Sequence, residues 1–253
     1  MCHECDSSPP IPVISGAAVT HRELVLEASD GNRLAAFAAS PDGPTTTGIV
    51  VLPDVRGLYR FYEELTLRFA ELGHAAVAID YFGRTAGIET RDDDFDYMPH
   101  VEQTTQHGIQ NDVAAAVDYL RSSEGAGCTA IFTVGFCFGG RNSWLAAADD
   151  HRLAGAIGFY GRPGVGRDGS SGPSARASEL AAPILALMGG DDPGIPVEDI
   201  TAFDQALDAA GVEHEVVVYP GAPHSFFDRK HEEFAAASED AWTRTLAFVA
   251  RYS

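Results

Sequence analysis

The string Thr133-Val134-Gly135-Phe136-Cys137-Phe138-Gly139-Gly140 sets a cysteine between two glycines, each two residues away. An apolar run precedes it and a helix-compatible run follows, which makes Gly-x-Cys-x-Gly at a strand-to-helix turn: a nucleophile elbow with cysteine in the serine position. The requirement is steric, because the nucleophile rides on a tight, strained turn and Gly135 and Gly139 let strand and helix approach closely. A helix beginning there favours a thiolate on Cys137, and the N–H of Phe138 points to where an oxyanion would develop. The plainer reading is a buried core cysteine beside a glycine turn.

A nucleophile of this kind needs a base and an orienting acid, in the chain order nucleophile, acid, histidine. Downstream, the apolar run Ile184 to Met188 leads into Gly189-Gly190-Asp191-Asp192-Pro193. The run Val216 to Tyr219 leads into Pro220-Gly221-Ala222-Pro223-His224-Ser225-Phe226. Both polar groups therefore fall after strands, where open parallel sheets place their sites. Cys137, Asp191 or Asp192, and His224 satisfy the order; the other eight histidines lack this context.

The elements that must position them follow from periodicity. Two β-like runs, Glu23 to Glu27 and Leu34 to Phe37, flank the turn signal Asp30-Gly31-Asn32 and predict an antiparallel hairpin. Short apolar strands are expected at Gly48 to Leu52, Ala75 to Ile79, Ala130 to Val134, Ala154 to Phe159, Ile184 to Met188 and Val216 to Tyr219, all buried on both faces. Helical segments are expected at Phe61 to Leu72, Gln106 to Ser122, Arg141 to Ala147, Val197 to Ala210 and Glu232 to Val249. Alternating βα units predict a mostly parallel sheet with helices on both faces, in one α/β domain over residues 21–253 behind a surface leader over 1–20. Arg84 to Val101, with the acidic run around Asp92, reads as an irregular segment, either a lid or a solvated excursion.

Composition excludes other classes. The 253 residues carry 17 Lys+Arg against 37 Asp+Glu, a formal charge of −20, the wrong sign for gripping nucleic acid or anionic lipid. No apolar stretch reaches the roughly 18 residues of a membrane helix, and the N-terminus has no signal-peptide pattern, so a cytoplasmic location is expected. Four cysteines in this length make no disulfide scaffold. Cys2-His3-Glu4-Cys5 has metal-ligand types but no second pair to complete a structural zinc site.

Gly135-Phe136-Cys137-Phe138-Gly139-Gly140, Met188-Gly189-Gly190-Asp191-Asp192 and His224-Ser225-Phe226 together resemble the dienelactone hydrolase (carboxymethylenebutenolidase) family of the α/β-hydrolase fold, over roughly Asp30 to Ser253. The resemblance implies hydrolysis of a small ester or lactone by a Cys137-Asp192-His224 triad through a thioester acyl-enzyme, without metal or organic cofactor. The family's acid lies four residues before a proline, which selects Asp192. Asp54 stands where the family has a glutamate that helps activate the cysteine, and Val55 would supply the second oxyanion amide. Arg84 aligns with an arginine that binds a substrate carboxylate, and Tyr160 with a site residue near the nucleophile. Asp228 occupies the place of a second family arginine, with Arg229 one residue late. The competing reading is a non-hydrolytic binding or redox-sensing protein of the same fold that uses Cys137 only as an oxidisable thiol.

Overall fold

The computed structural model describes residues 8–14, 16–92, 94–166 and 169–253; Cys2, His3, Glu4 and Cys5 lie outside them. Eight strands form one sheet: β1 (Val19–Glu27), β2 (Arg33–Pro41), β3 (Thr47–Leu52), β4 (Ala75–Ile79), β5 (Ala130–Phe136), β6 (Gly155–Phe159), β7 (Ile184–Gly189) and β8 (His214–Tyr219). Their order is β1-β2-β4-β3-β5-β6-β7-β8. β1 pairs antiparallel with β2, and β2 with β4; every later pair is parallel. The chain winds outward from β3 in one direction and from β5 in the other, so the switch point lies between these two neighbours, where open sheets bind ligands.

Side-chain alternation explains why the strands stay put. Along β3, Ile49 and Val51 enter one core with Phe132, Val134 and Phe136 of β5, while Val50 and Leu52 enter the opposite core with Ile131. The first core is closed by α1 (Arg60–Glu71) through Phe61, Tyr62, Leu65 and Phe69, and by the C-terminal helix (Ala235–Tyr252) through Ala241, Phe248 and Val249. The second face is covered by α4 (Gln106–Arg121), whose Ile109, Val113, Val117 and Leu120 make the expected stripe, and by Val197–Ala210 through Ile200, Phe203 and Leu207. A period-two pattern apolar on both sides leaves no face on which such a strand could meet water.

Three expectations shift. The hairpin strands are longer than their apolar runs, because the polar Thr20, His21 and Arg22 continue the ladder to Ser40, Ala39 and Ala38 at the sheet edge. β8 is the other edge strand, and its Val218 is exposed, so it is not buried on both faces as expected. The 84–101 segment carries two short helices, α2 (Gly83–Ala86) and α3 (Met98–Val101).

That segment is tied down by charge. Asp80, at the end of β4, accepts the N–H groups of Phe82 (2.7 Å) and Leu58 (3.0 Å) and the Nη2 and Nε groups of Arg91 (3.0 and 3.2 Å). Arg91 also donates to the carbonyls of Ala86 and Gly87 and lies 4.7 Å over the Phe95 ring. Phe95 in turn stacks on His100. Removing one partner of a buried pair leaves the other charge stranded. Arg91→Ala should therefore lower unfolding free energy by about 3 kcal/mol in urea titrations and open the 84–101 segment to limited proteolysis; unchanged stability and cleavage would refute this anchoring role.

Candidate active site

Cys137 sits between β5 and α5 (Phe138–Ala146) with φ 55° and ψ −111°. Few non-glycine residues hold a positive φ, and here the surroundings enforce it. The Cys137 N–H donates to the Phe159 carbonyl (3.0 Å) and its carbonyl accepts from Arg141 N–H (3.2 Å), clamping the turn from both sides. A Cβ at Gly135 would fall 2.0 Å from the Gly139 carbonyl oxygen, and one at Gly139 would fall 2.0 Å from that of Leu52. The helix therefore starts hard against the end of β3, which carries Asp54 and Val55. Phe138 is the first helical residue, so its N–H is directed out of the helix end instead of into a turn.

His224 comes from the loop after β8, and its Nδ1 lies 2.6 Å from Oδ2 of Asp192. The Asp192 side chain is 1% exposed and that of His224 31%, so the acid is sealed behind a histidine that still meets solvent. Oδ1 of Asp192 accepts the Gly194 N–H at 2.8 Å. The Asp191 backbone bonds to Ala222, and its side chain faces outward. The geometry thus separates two neighbours that the residues alone left open: the structure brings Asp192 to His224.

Asp54 is fully buried. Its Oδ1 accepts the Arg56 N–H (2.8 Å), Oδ2 lies 3.4 Å from the Tyr59 hydroxyl, and its own N–H donates to the Tyr62 hydroxyl (2.9 Å). Tyr81 shows how the groups converge. Its hydroxyl donates to the Pro53 carbonyl (2.9 Å), and burial first, then the charges of Asp54, Asp80, Cys137 and Asp112, hold its pKa well above the ordinary phenol range.

Arg84 stands on α2, and its guanidinium is divided between Asp30 (2.7 Å) and the fully buried Asp112 (2.6 Å). Asp112 also accepts the Asn32 amide at 2.9 Å. This cation pins the β1–β2 turn to the helix Gln106–Arg121. Arg141, one turn beyond Cys137, donates to the carbonyls of Arg162 (3.2 Å), Gly164 and Ser171 (3.1 Å) and so gathers the loop after β6. Neither Arg91 nor Arg141 had a sequence signal beyond being an arginine, because carbonyl acceptors come from loops whose path no motif specifies.

Tyr160, just after β6, is fully buried and also has a positive φ, 39°. Its ring centroid lies 4.9 Å from that of His224, and its hydroxyl donates to Oδ2 of Asp228 at 2.9 Å. The Asp228 carboxyl also accepts the Arg229 N–H. Burial pushes the Asp228 carboxyl up to about 8; the Arg229 N–H and Tyr160 hydroxyl oppose this, the charge of Asp54 adds to it and His224 opposes it. Asp228 thus stands inside the protein, close to Asp54 and His224.

A sequence model described as "Dienelactone hydrolase family" matches residues 34–253. A protein of Escherichia coli K12 named "Putative carboxymethylenebutenolidase" is 32% identical over 234 residues, 88% of this chain and 84% of its own. The carboxymethylenebutenolidase of Rhodococcus opacus is 29% identical, covering 100% of this chain and 97% of its own. Among solved structures, one titled "Putative Dienelactone Hydrolase" from Klebsiella pneumoniae superposes with a TM-score of 0.80 at 27% identity, covering 93% of this chain and 100% of that one.

Asp228 gives a stability test. Its folded pKa of about 8 exceeds the ordinary carboxylate value of about 4, so between those pH values the native state keeps a proton that the unfolded chain gives up, and stability falls as pH rises. Asp228→Asn removes the titration. Its melting temperature relative to wild type should climb between pH 5 and pH 8; a pH-independent difference would show that the carboxyl is not perturbed.

Proposed function

Since the chain belongs to the dienelactone hydrolase family of the α/β-hydrolase superfamily, and is by that membership an ester or lactone hydrolase acting on a small molecule, we propose that it works by acyl transfer through Cys137, Asp192 and His224. The observation that carries this reading is the 2.6 Å contact between His224 Nδ1 and a sealed Asp192, within a site whose cysteine rides a strained strand-to-helix turn. With Nδ1 donating to Asp192, Nε2 is the nitrogen that acts as base.

The steps follow from those roles. His224 takes the Cys137 proton, aided by the dipole of α5, and the thiolate attacks the ester carbonyl. The N–H groups of Phe138 and Val55 receive the oxyanion, since the first turn of α5 and the loop after β3 meet at Gly139. The alkoxide leaves with the proton from His224, or stays tethered when the substrate is a lactone. Water, deprotonated by His224, then attacks the thioester carbonyl, and Cys137 departs as the acid forms. Asp54, fully buried in the loop that carries Val55, stands where the family has the glutamate that helps activate the cysteine. A sensor thiol would have no use for an oriented acid–base pair, which is why hydrolysis is preferred to redox sensing.

Arg84 is not the residue that selects the acyl group. Arg84 is committed to Asp30 and Asp112 and acts as a structural tie, so a substrate carboxylate gains nothing from it.

Two measurements test these statements. Cys137→Ala and His224→Ala should each lower kcat on p-nitrophenyl acetate by at least roughly 1,000-fold, while Asp191→Asn stays within about twofold of wild type; intact-mass trapping should show acylation at Cys137 alone. Retained turnover in Cys137→Ala would remove the nucleophile assignment. Arg84→Met should leave the ratio of kcat/KM for matched neutral and carboxylate-bearing esters unchanged, and a selective loss on the anionic member would restore the clamp.

A further inference from the structure

A general base must keep its Nε2 aligned with the nucleophile, which depends on what fixes the plane of the imidazole as well as on what holds its Nδ1. The Asp192 contact fixes Nδ1, and the ring, 31% exposed along its side chain, packs its inner side against the protein.

Tyr160 supplies that packing. It is entirely enclosed, which leaves substrate no access to its ring or hydroxyl. One side of the ring meets His224, with 4.9 Å between centroids and 58° between planes, and Phe226 packs edge-on at 5.6 Å. The Tyr160 N–H donates to the Leu187 carbonyl (2.8 Å) on β7, the strand that leads to Asp192. Its hydroxyl donates to Asp228. The backbone is thereby referenced to the acid's strand, the ring touches the base, and the far end is tethered to the base's own loop.

The backbone records the same constraint. Cys137 (φ 55°), Tyr160 (φ 39°) and Ser225 (φ 60°) all hold a conformation that side chains disfavour. Cys137 and Tyr160 directly follow β5 and β6, and Ser225 directly follows His224. Residues in such conformations persist only where their surroundings over-determine them.

We propose that Tyr160 and Asp228 form a second positioning unit for the base: Asp228 fixes the Tyr160 hydroxyl, and the Tyr160 ring packs against His224 and helps set the plane of its imidazole. The kinetic part rests on the acyl-transfer reading above; the geometric part does not. Both residues are buried away from solvent, and the unit acts through His224. Groups that bear on the Asp228 carboxyl are Asp54 from the loop after β3, Tyr160 from the end of β6, and His224 and the Arg229 N–H from its own loop.

The experiment compares wild type with Tyr160→Phe, Tyr160→Leu, Asp228→Asn and Asp228→Leu by steady-state kinetics on p-nitrophenyl acetate and by the low-field NMR resonance of the His224 Nδ1 proton. A displaced base is expected to lose about 100-fold in rate. Tyr160→Leu should show that loss in kcat with KM within about twofold, and its Nδ1 resonance should broaden or vanish although the protein is folded by circular dichroism. Tyr160→Phe keeps the ring and should lose about tenfold, an intermediate effect. Asp228→Asn still accepts the phenol O–H and should keep several times the activity of Asp228→Leu, with the sharp resonance retained. The proposal is overturned if Tyr160→Leu keeps wild-type kcat and resonance, or if Asp228→Leu matches Asp228→Asn in both. Should the wild type hydrolyse no ester or lactone, the acyl-transfer reading falls alone, and the resonance decides the positioning unit.

Discussion

The closeness of α5 to the ends of β3 and β6 is the constraint on which the site depends. Gly139 abuts the Leu52 and Pro53 carbonyls, and Gly140 the Phe159 carbonyl, at separations that would put a Cβ 2.0 to 2.6 Å from an oxygen. Any side chain there would push the helix outward. The Cys137 turn would then relax out of its positive φ, and the Phe138 N–H would move away from the loop that carries Asp54 and Val55. Two glycines thus set the spacing of groups from three strands. The switch point between β3 and β5 supplies the crevice, since the chain leaves these neighbours in opposite directions.

Around that crevice, three arginines share one use. With only one lysine in the chain, the cations at the site end of the sheet are planar forks, and Arg84, Arg91 and Arg141 each spend theirs on protein oxygens. Arg91 holds the 84–101 segment to Asp80, Arg84 holds the hairpin turn to the helix Gln106–Arg121, and Arg141 holds the loop after β6. The clamps are internal. A net charge of −20 coexists with an ordered set of loops because individual carboxylates are matched where loops must be fixed, and the excess stands on the surface.

What could be read in advance divides along the same line. Buried strands repeat apolar residues with period two, and helices such as Gln106–Arg121 repeat them at three and four, so both were legible to within a few residues. The elbow was legible because its glycines are a steric necessity. Asp192 against Asp191 was not legible from residues alone, since adjacent aspartates differ only in which way the loop turns, and it is the Gly194 N–H and His224 that select one. Arg91 and Arg141 were illegible for a related reason: their partners are backbone carbonyls or a carboxylate brought close only by the folded loop. Asp228 was visible as a departure from the family pattern, but its bond to Tyr160 spans 68 residues and no local signal carries it.

The charge state of Asp228 closes the electrostatic argument. The acyl transfer proposed for Cys137 passes through a thiolate and then an oxyanion, and each negative charge held nearby raises the energy of both. Burial keeps the Asp228 carboxyl protonated through neutral pH, which lets an acidic residue hold Tyr160 without opposing the chemistry. An arginine in that place would attract a substrate carboxylate; a neutral acid does not. Buried carboxyl groups with divergent environments take divergent roles. In the reading proposed above, Asp192 orients the base by its charge, and Asp228, kept neutral, holds the ring against which the base rests.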